Sequence, residues 1–144
     1  MFTQKINNMK VENVMIALDK FPVVPENLFL KEALDIMNSK GFGVACLIDK
    51  DGILTGILTD GDFRRKLLKV QKPLSALFID DCRKYAILSP ITTKPETSLA
   101  DAMKIMGDRK IWDLPVVDNV GKLIGLLHFH AVVKSLLNNN SQYL

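Results

Sequence analysis

Two stretches of the chain carry apolar residues at the spacing of an amphipathic helix. Apolar side chains recur at positions i, i+3, i+4 and i+7 in both stretches, as Leu30, Ala33, Leu34 and Met37 in the first and Leu99, Ala102, Met103 and Met106 in the second. This spacing places them on one helix face. Ser98 and Asp101 form an S-x-x-D start for the second helix, and Asn27 is the predicted cap of the first. The pattern therefore predicts one half-buried helix in each half of the chain.

Each predicted helix is followed by two short apolar and β-branched runs around a turn. The run, turn and run cover residues 44–48, 49–52 and 53–58 in the first half, and 114–117, 118–121 and 122–127 in the second. Runs of this length around turn residues predict β-hairpins. A further helix is expected after each hairpin, over about 62–69 and 131–137. Each half is therefore predicted as strand, helix, strand, strand, helix.

The two halves are copies of one unit. A shift of 69 positions superimposes nine identical residues in order, starting from Leu30, Ala33, Ile36, Met37, Asp49, Gly52, Leu54, Gly56 and Leu58. One inserted residue extends the match upstream and pairs Val24-Pro25-Glu26 with Lys94-Pro95-Glu96. We predict domains over residues 11–70 and 84–137, with 1–10 as an N-terminal segment or linker and 71–83 as a connector.

The duplication also predicts the fold class. A unit of about 60 residues is marginal as an independent domain, so the two copies are expected to pack together and bury a shared sheet face. The predicted fold is α/β, with duplicated β-α-β-β-α units packed as a pair about a pseudo-twofold axis.

Composition and charge narrow the classes of function. The 144 residues are 48% hydrophobic and 24% charged, as in ordinary globular proteins. A net charge of +3 requires neither nucleic acid nor an anionic membrane, and no apolar run approaches the ~20 residues that span a bilayer. Without a signal-peptide pattern, a cytoplasmic location is predicted. Cys46 and Cys82 form no C-x-x-C motif and are expected to be buried or incidental thiols rather than a disulfide or a redox centre.

The sequence carries no recognisable catalytic motif. It has no nucleophile elbow, P-loop, H-E-x-x-H, or G-x-G-x-x-G that opens a helix after a strand. Paired aspartates occur at 49 and 51, 60 and 62, and 80 and 81, all at predicted turns or helix starts, where aspartate is structurally favoured. We therefore expect a non-catalytic domain.

The repeated unit resembles a known family. The pattern D-x-x-G-x-h-x-G-h-h-T-x-x-D over residues 49–62 resembles that of tandem CBS (cystathionine-β-synthase) domains. The stretch G-I-L-T-D-G-D-F-R-R at 56–65, together with G-L-L-H-F-H at 125–130, is similar to the C-terminal CBS pair of the arabinose 5-phosphate isomerase family. Those sugar-phosphate isomerases supply the precursor of a lipopolysaccharide or capsule sugar. A similar T-D-G-D-x-R-R stretch in CBS pairs of sugar nucleotidyltransferases remains an alternative.

The resemblance implies a regulatory module without an obligatory cofactor. Such modules bind AMP, ADP, ATP or related ligands, here including a sugar nucleotide, in clefts between the copies, and control an attached enzyme. The residues expected to bind the ligand are Gly41, Gly43, Val44, Ala45, Thr59, Asp60, Asp62, Arg64 and Arg65 in the first copy, and Trp112, Asp113, Leu114, Pro115, His128 and His130 in the second.

The chemistry of the first copy suits a ribose phosphate. Thr59 ends a predicted strand and Asp62 opens a helix, so a hydroxyl and a carboxylate converge and can bind two vicinal hydroxyls of a sugar. The helix start directs N–H groups toward a phosphate, to which Arg64 and Arg65 would add charge. Glycines before Val44 allow a base to approach the backbone. Alternatively, Thr59-x-x-Asp62 is only a helix cap.

The second copy departs from this pattern. His128 and Ala131 stand where the first copy has Thr59 and Asp62, so the carboxylate for the ribose is missing there. We expect one competent pocket, or a composite one to which His128 and His130 contribute polar or phosphate contacts. The two imidazoles would project to one side of an extended chain, but no third residue supports a zinc site.

The remaining positions of the second copy have structural alternatives. Trp112 is expected to fill the core or a cleft wall rather than stack on a base. The segment 113–115 is either a strand start or a loop that contacts the base, and Pro115 removes a backbone donor.

Two other classes of function stay open. One is an interaction module with vestigial clefts whose helices dimerise a larger enzyme, and the other is a nucleic-acid-binding domain that uses the basic run between Arg64 and Lys72. Apolar helix positions that are expected to need cover are Phe63, Leu67, Val132 and Leu136. A twofold homodimer is therefore predicted.

Overall fold

The computed structural model describes residues 6–141, and residues 1–5 of the predicted N-terminal segment lie outside this range. The chain forms two compact units. The first unit is Leu18–Pro90, and the second unit combines the segment that ends at Ala17 with the segment that begins at Ile91.

The first unit is built around a four-stranded sheet. Its strands, in spatial order, are β1 (Val23–Pro25), β2 (Val44–Ile48), β3 (Leu54–Thr59) and β4 (Ile87–Leu88). β1 is parallel to β2, whereas β2 with β3 and β3 with β4 are antiparallel. The helices are α1 (Leu30–Lys40), α2 (Asp60–Lys69) and α3 (Leu74–Phe78), followed by a 3₁₀ turn at Cys82–Tyr85. The first predicted hairpin and both of its flanking helices are confirmed.

The apolar stripe of α1 forms the core of the first unit. Leu30, Ala33 and Met37 are buried against β2, β3 and the 3₁₀ turn, as their spacing predicts. The helix ends at Gly41, whose φ of 73° is in the left-handed region that glycine adopts without strain.

The second unit repeats this plan with a shorter sheet. β5 (Asp113–Val117) and β6 (Leu123–His128) form an antiparallel hairpin, flanked by α4 (Leu99–Arg109) and α5 (Phe129–Ser141). In place of β1, the second unit has a single parallel bridge between Thr93 and Val116. In place of β4, it has a single antiparallel bridge between Ile16 and Leu126. Ser98 caps α4 by accepting a hydrogen bond from Asp101 N, as predicted.

The leading segments of the two repeats are exchanged between the units. The segment before the first repeat packs in the second unit, and the segment before the second repeat packs in the first. Equivalent backbone hydrogen bonds join each segment to the start of a helix: Leu99 N to Met9 O and Val11 N to Thr97 O in the second unit, and Leu30 N to Asp80 O and Cys82 N to Leu28 O in the first. The repetition of these bonds shows that the duplication includes the leading segments.

Two details of the predicted repeat are wrong. Phe29, not Asn27, is the N-cap residue of α1. Its side chain has no acceptor for a cap bond, and the carbonyl of Asp80 accepts from the first helical N–H instead. The inserted residue is also unnecessary. Val24 pairs with Leu47 and Thr93 with Val116, so the shift of 69 continues through the first strand.

The helix positions thought to need cover are covered within their own units. Val132 and Leu136 are buried in the second unit's core, because α5 turns this face onto its hairpin. Phe63 packs its ring edge-to-face with Tyr85, at a centroid distance of 6.2 Å. These side chains therefore give no argument for a dimer.

The cysteines are buried free thiols, as predicted. Burial raises the pKa of the Cys82 thiol to about 11. Over the described residues, no helix combines the length and the apolar character needed to cross a membrane.

Candidate functional site

The first-unit cluster lies where β3 gives way to α2. The Thr59 hydroxyl donates to Asp62 Oδ2 over 2.7 Å and accepts from the backbone N–H of Asp62 at 3.1 Å. Asp62 Oδ1 accepts from Arg65 at 2.9 Å. The predicted hydroxyl and carboxylate are therefore in direct contact, and the alternative role of Thr59 as a helix cap is also present.

The start of β2 forms the neighbouring wall of this cluster. Val44 is paired with Thr59 across the sheet, and both Val44 and Ala45 are buried. Asp60 N donates to the carbonyl of Gly43, and a Cβ on Gly43 would lie 2.7 Å from Asp60 Oδ2. A side chain at position 43 would therefore displace the Asp60 carboxylate.

The two arginines of α2 differ in their surroundings. Arg65 is held by Asp62, so part of its charge is neutralised within the cluster. Arg64 is exposed on the same helix. A phosphate near this helix start would therefore find one arginine already engaged by a carboxylate.

The second-unit cluster is centred on an imidazole–carboxylate pair. Asp113 and His128 face each other across β5 and β6, and Asp113 Oδ1 lies 2.6 Å from His128 Nδ1. Burial raises the pKa of the Asp113 carboxyl, while the hydrogen bond to His128 and the charges of His128 and His130 act to lower it. The second unit thus contains a carboxylate beside His128, although Ala131 lacks one.

Trp112 does not fill the core, which was one of the two structural positions predicted for it, and its place in a cleft wall stays a prediction. It is 62% exposed and stacks on His130, with ring centroids 6.2 Å apart and an angle of 21° between the planes. The edge-to-face contact of Trp112 with Phe129 has a centroid distance of 5.2 Å, and the rings of His128 and His130 are 5.4 Å apart. Trp112 and the two histidines therefore belong to one partly open aromatic cluster.

Leu114 and Pro115 have structural positions in β5. Both are buried, Leu114 belongs to the second unit's core, and the carbonyl of Pro115 accepts from Thr93 N. The segment that starts at Asp113 is therefore a strand, which was one of the two predicted alternatives, and not a loop.

The Asp113–His128 pair was missed by sequence reasoning. The signal was available in the hairpin register. The turn at 118–121 fixes which residues of β5 and β6 face each other, and it places Asp113 opposite His128. The equivalent turn of the first copy places Val44 opposite Thr59. Each of the two residues was identified as a candidate, but their contact was not.

A separate groove of about 460 Å³ lies at the other end of β2. Its lining residues are Pro25, Glu26, Asn27, Ile48, Asp49 and Lys50. None of the predicted ligand residues is among them. Within the part of the chain that the structure describes, no three histidine, cysteine or acidic side chains are placed to hold a metal ion together.

Comparison with known proteins identifies the family. The family profile described as "CBS domain" matches residues 11–69 and 82–138. The chain belongs to the CBS domain family. CBSX2 from Arabidopsis thaliana, a CBS-pair protein, has a TM-score of 0.78 and 27% identity over 92% of this chain and 96% of its own. A crystal structure of CBSX2 in complex with AMP has a TM-score of 0.81 and 28% identity over 92% and 99% of the two chains. The predicted α/β fold of tandem CBS units is thereby confirmed.

Curated relatives include longer enzymes. The arabinose 5-phosphate isomerase KdsD of Pseudomonas aeruginosa is 35% identical over 127 residues, which cover 88% of this chain and 38% of that protein. KdsD of Escherichia coli is 28% identical over 129 residues, or 88% and 37% of the two chains. The chain therefore spans less than two-fifths of the length of these relatives. CBS-pair domains are regulatory and non-catalytic.

Proposed function

We propose that this CBS pair binds an adenosine nucleotide or a sugar nucleotide and thereby controls a sugar-phosphate isomerase-type enzyme. The observation that carries the proposal is the contact between the Thr59 hydroxyl and the Asp62 carboxylate at the start of α2. Both groups are partly buried and held by the strand end and the helix start, which gives them a fixed geometry.

The cluster has the chemistry to bind the diol of a ribose. An ionised carboxylate accepts hydrogen bonds from two neighbouring hydroxyls, and each such charge-assisted bond contributes about 1.5–3 kcal/mol. A diol that replaces the Thr59–Asp62 bond would leave the Thr59 hydroxyl free to accept or donate. Backbone N–H groups at the helix start favour a phosphate on the same ligand.

The comparisons support both parts of the proposal. The structure of CBSX2 with AMP supports an adenosine-type ligand for a chain of this fold. The match to arabinose 5-phosphate isomerases supports the kind of enzyme that the module controls, because the matched region is only part of those proteins.

A ligand screen tests the binding part. Thermal unfolding is followed with AMP, ADP, ATP, S-adenosylmethionine, and cytidine and guanosine sugar nucleotides. A ligand at 100 times its Kd adds ~2.7 kcal/mol to the free energy of unfolding, a clear shift of the melting temperature. No shift with any of these compounds would contradict the proposed function.

A chimera tests the control of an isomerase. This chain replaces the matched region of the Pseudomonas aeruginosa isomerase, and isomerase activity is measured with and without the ligand found in the screen. A ligand-dependent change that is lost in a matched chimera with Asp62→Ala supports regulation through this cluster. Equal isomerase activity with and without the ligand would contradict the proposed control of the enzyme and leave only the binding part of the proposal.

The predicted homodimer is part of the same proposal. The apolar side chains left exposed on the helices that follow the hairpins are Leu68 on α2 and Leu137 on α5. We propose that such positions contact a second copy. Sedimentation at micromolar concentration is expected to show twice the 16.1 kDa chain mass, and a species of that single mass would contradict this part.

A further inference from the structure

All histidines of the chain lie in the second-unit cluster. The sequence has two, His128 and His130, and their rings are 5.4 Å apart. Histidine is the side chain whose charge ordinarily changes between pH 5 and 8. Binding at this cluster can therefore respond to pH in a way that the first-unit cluster, which has no histidine, cannot.

The two clusters occupy equivalent positions with different chemistry. The shift of 69 that relates the strands also relates the residues around each helix start. The equivalent residues, first unit before second, are Gly43 and Trp112, Val44 and Asp113, Thr59 and His128, Gly61 and His130, and Asp62 and Ala131. The hydroxyl and carboxylate of the first unit, which suit a diol, are replaced in the second unit by two imidazoles. The carboxylate of the second unit is that of Asp113, which lies on β5 and not on the helix.

The charge of the second-unit cluster depends on protonation. Asp113 on β5 faces His128, and His130 on α5 acts electrostatically on the same carboxylate. With Asp113 ionised, these three groups carry a net charge of +1 when both imidazoles are protonated and −1 when both are neutral.

We propose that His128 and His130 make the second-unit cluster a proton-coupled binding site for the phosphate ester of a nucleotide. The choice of a nucleotide rests on the proposed function. Asp113 holds the His128 ring through Nδ1, and His130 lies in the first turn of α5, where helix N–H groups add to the favourable field for an anion. Binding of the phosphate favours the protonated imidazoles, so ligand and protons bind together.

Histidine titration by NMR tests this inference. The C2–H resonances of His128 and His130 are assigned with His128→Gln and His130→Gln, whose melting temperatures show whether each variant is folded. The two resonances are then titrated from pH 5 to 8 alone, with AMP and with adenosine. We expect AMP to raise at least one titration midpoint by about 0.5 unit or more, which corresponds to about threefold tighter binding to the protonated form. Adenosine, which lacks the phosphate, is expected to leave both midpoints unchanged.

The outcomes separate this inference from the proposed function. If AMP stabilises the chain but neither midpoint moves, or if adenosine moves them equally, the inference is overturned and the sensor function stands. If AMP moves a midpoint while Asp62→Ala has no effect on adenosine binding, the inference stands and the first-unit assignment fails. If neither stability nor midpoints respond to any nucleotide of the screen, both fail.

Discussion

Asp113 and His128 face each other in the second unit at the position where the first unit pairs Val44 with Thr59. Their Oδ1 and Nδ1 atoms are 2.6 Å apart. The repeat has thus kept a polar group at the end of the hairpin in both copies while its partner has moved from the helix, at Asp62, to the adjacent strand. This divergence gives the two clusters different ligand chemistry on the same local fold.

Replacing Gly125 by alanine is expected to destabilise the second unit by about 1–3 kcal/mol. The new Cβ would lie 2.7 Å from Met15 Sδ and 3.0 Å from Ile16 O. The sulfur can move, but Ile16 is fixed by reciprocal backbone bonds with Leu126. Urea unfolding followed by circular dichroism measures the change.

The matched control is Gly107→Ala on α4. A Cβ there meets nothing within 4 Å, so the helix should gain about 0.5–1 kcal/mol from lower backbone entropy in the unfolded chain. Equal effects of the two substitutions would show that the leading segment does not pack against Gly125 as described.

Asp80 is expected to stabilise the first unit in a manner that disappears in acid. Its hydrogen bonds from Lys72 and Tyr85 lower the pKa of the carboxyl to about 2. Because the pKa in the folded state lies below the ordinary value of 3.8, this stabilisation is complete above about pH 5 and is lost as the pH falls toward 2. The difference in melting temperature between wild type and Asp80→Asn should therefore be constant above pH 5 and shrink below pH 4.

The exposed neighbour Asp81 provides the control for this acid effect. Asp81→Asn should change the melting temperature little, because its side chain is exposed. An Asp80→Asn difference that persists unchanged at pH 2 would mean that the carboxylate's charge is not what stabilises the connector.

Ala102→Glu is expected to unfold the second unit. Ala102 is completely buried on the apolar stripe of α4, and a glutamate there would place an unpaired carboxylate in the core, with a cost above about 4 kcal/mol. Lys104→Glu on the exposed face of the same helix should change stability by less than about 0.5 kcal/mol. A cooperative melting transition of Ala102→Glu near that of wild type would contradict this placement.

Local patterns predicted the helices and hairpins because each carries its own signal. The apolar stripe that begins at Leu30 predicts a helix from neighbouring residues alone, without reference to the rest of the chain. The turn at 49–52 predicts a hairpin in the same way. The cap at Ser98 was likewise readable because the bond to Asp101 spans only three residues.

Features that depend on distant segments were not readable. Phe29 replaces Asn27 as the cap because Asp80, fifty residues away, supplies the carbonyl that satisfies the helix start. Repeated Pro-Glu letters suggested an insertion near Lys94, whereas strand pairing keeps the shift constant through Thr93. The contact of Asp113 with His128 needed the register of both strands.

Titration calorimetry with adenosine on Asp62→Ala and Asp101→Ala tests the central claim most directly. Each aspartate is the third residue after a capping hydroxyl, Thr59 or Ser98, so both variants remove a carboxylate from the first turn of a helix. Asp62→Ala also removes the contacts with Thr59 and Arg65, so the free energy of unfolding of each variant is measured together with its adenosine affinity. If Asp62 binds the ribose diol, its variant should lose about 2–4 kcal/mol of binding free energy, whereas Asp101→Ala should bind as wild type does. Equal adenosine affinity in all three proteins, with stability lowered in both variants, would reduce Asp62 to a helix-capping residue and contradict ligand sensing through this cluster.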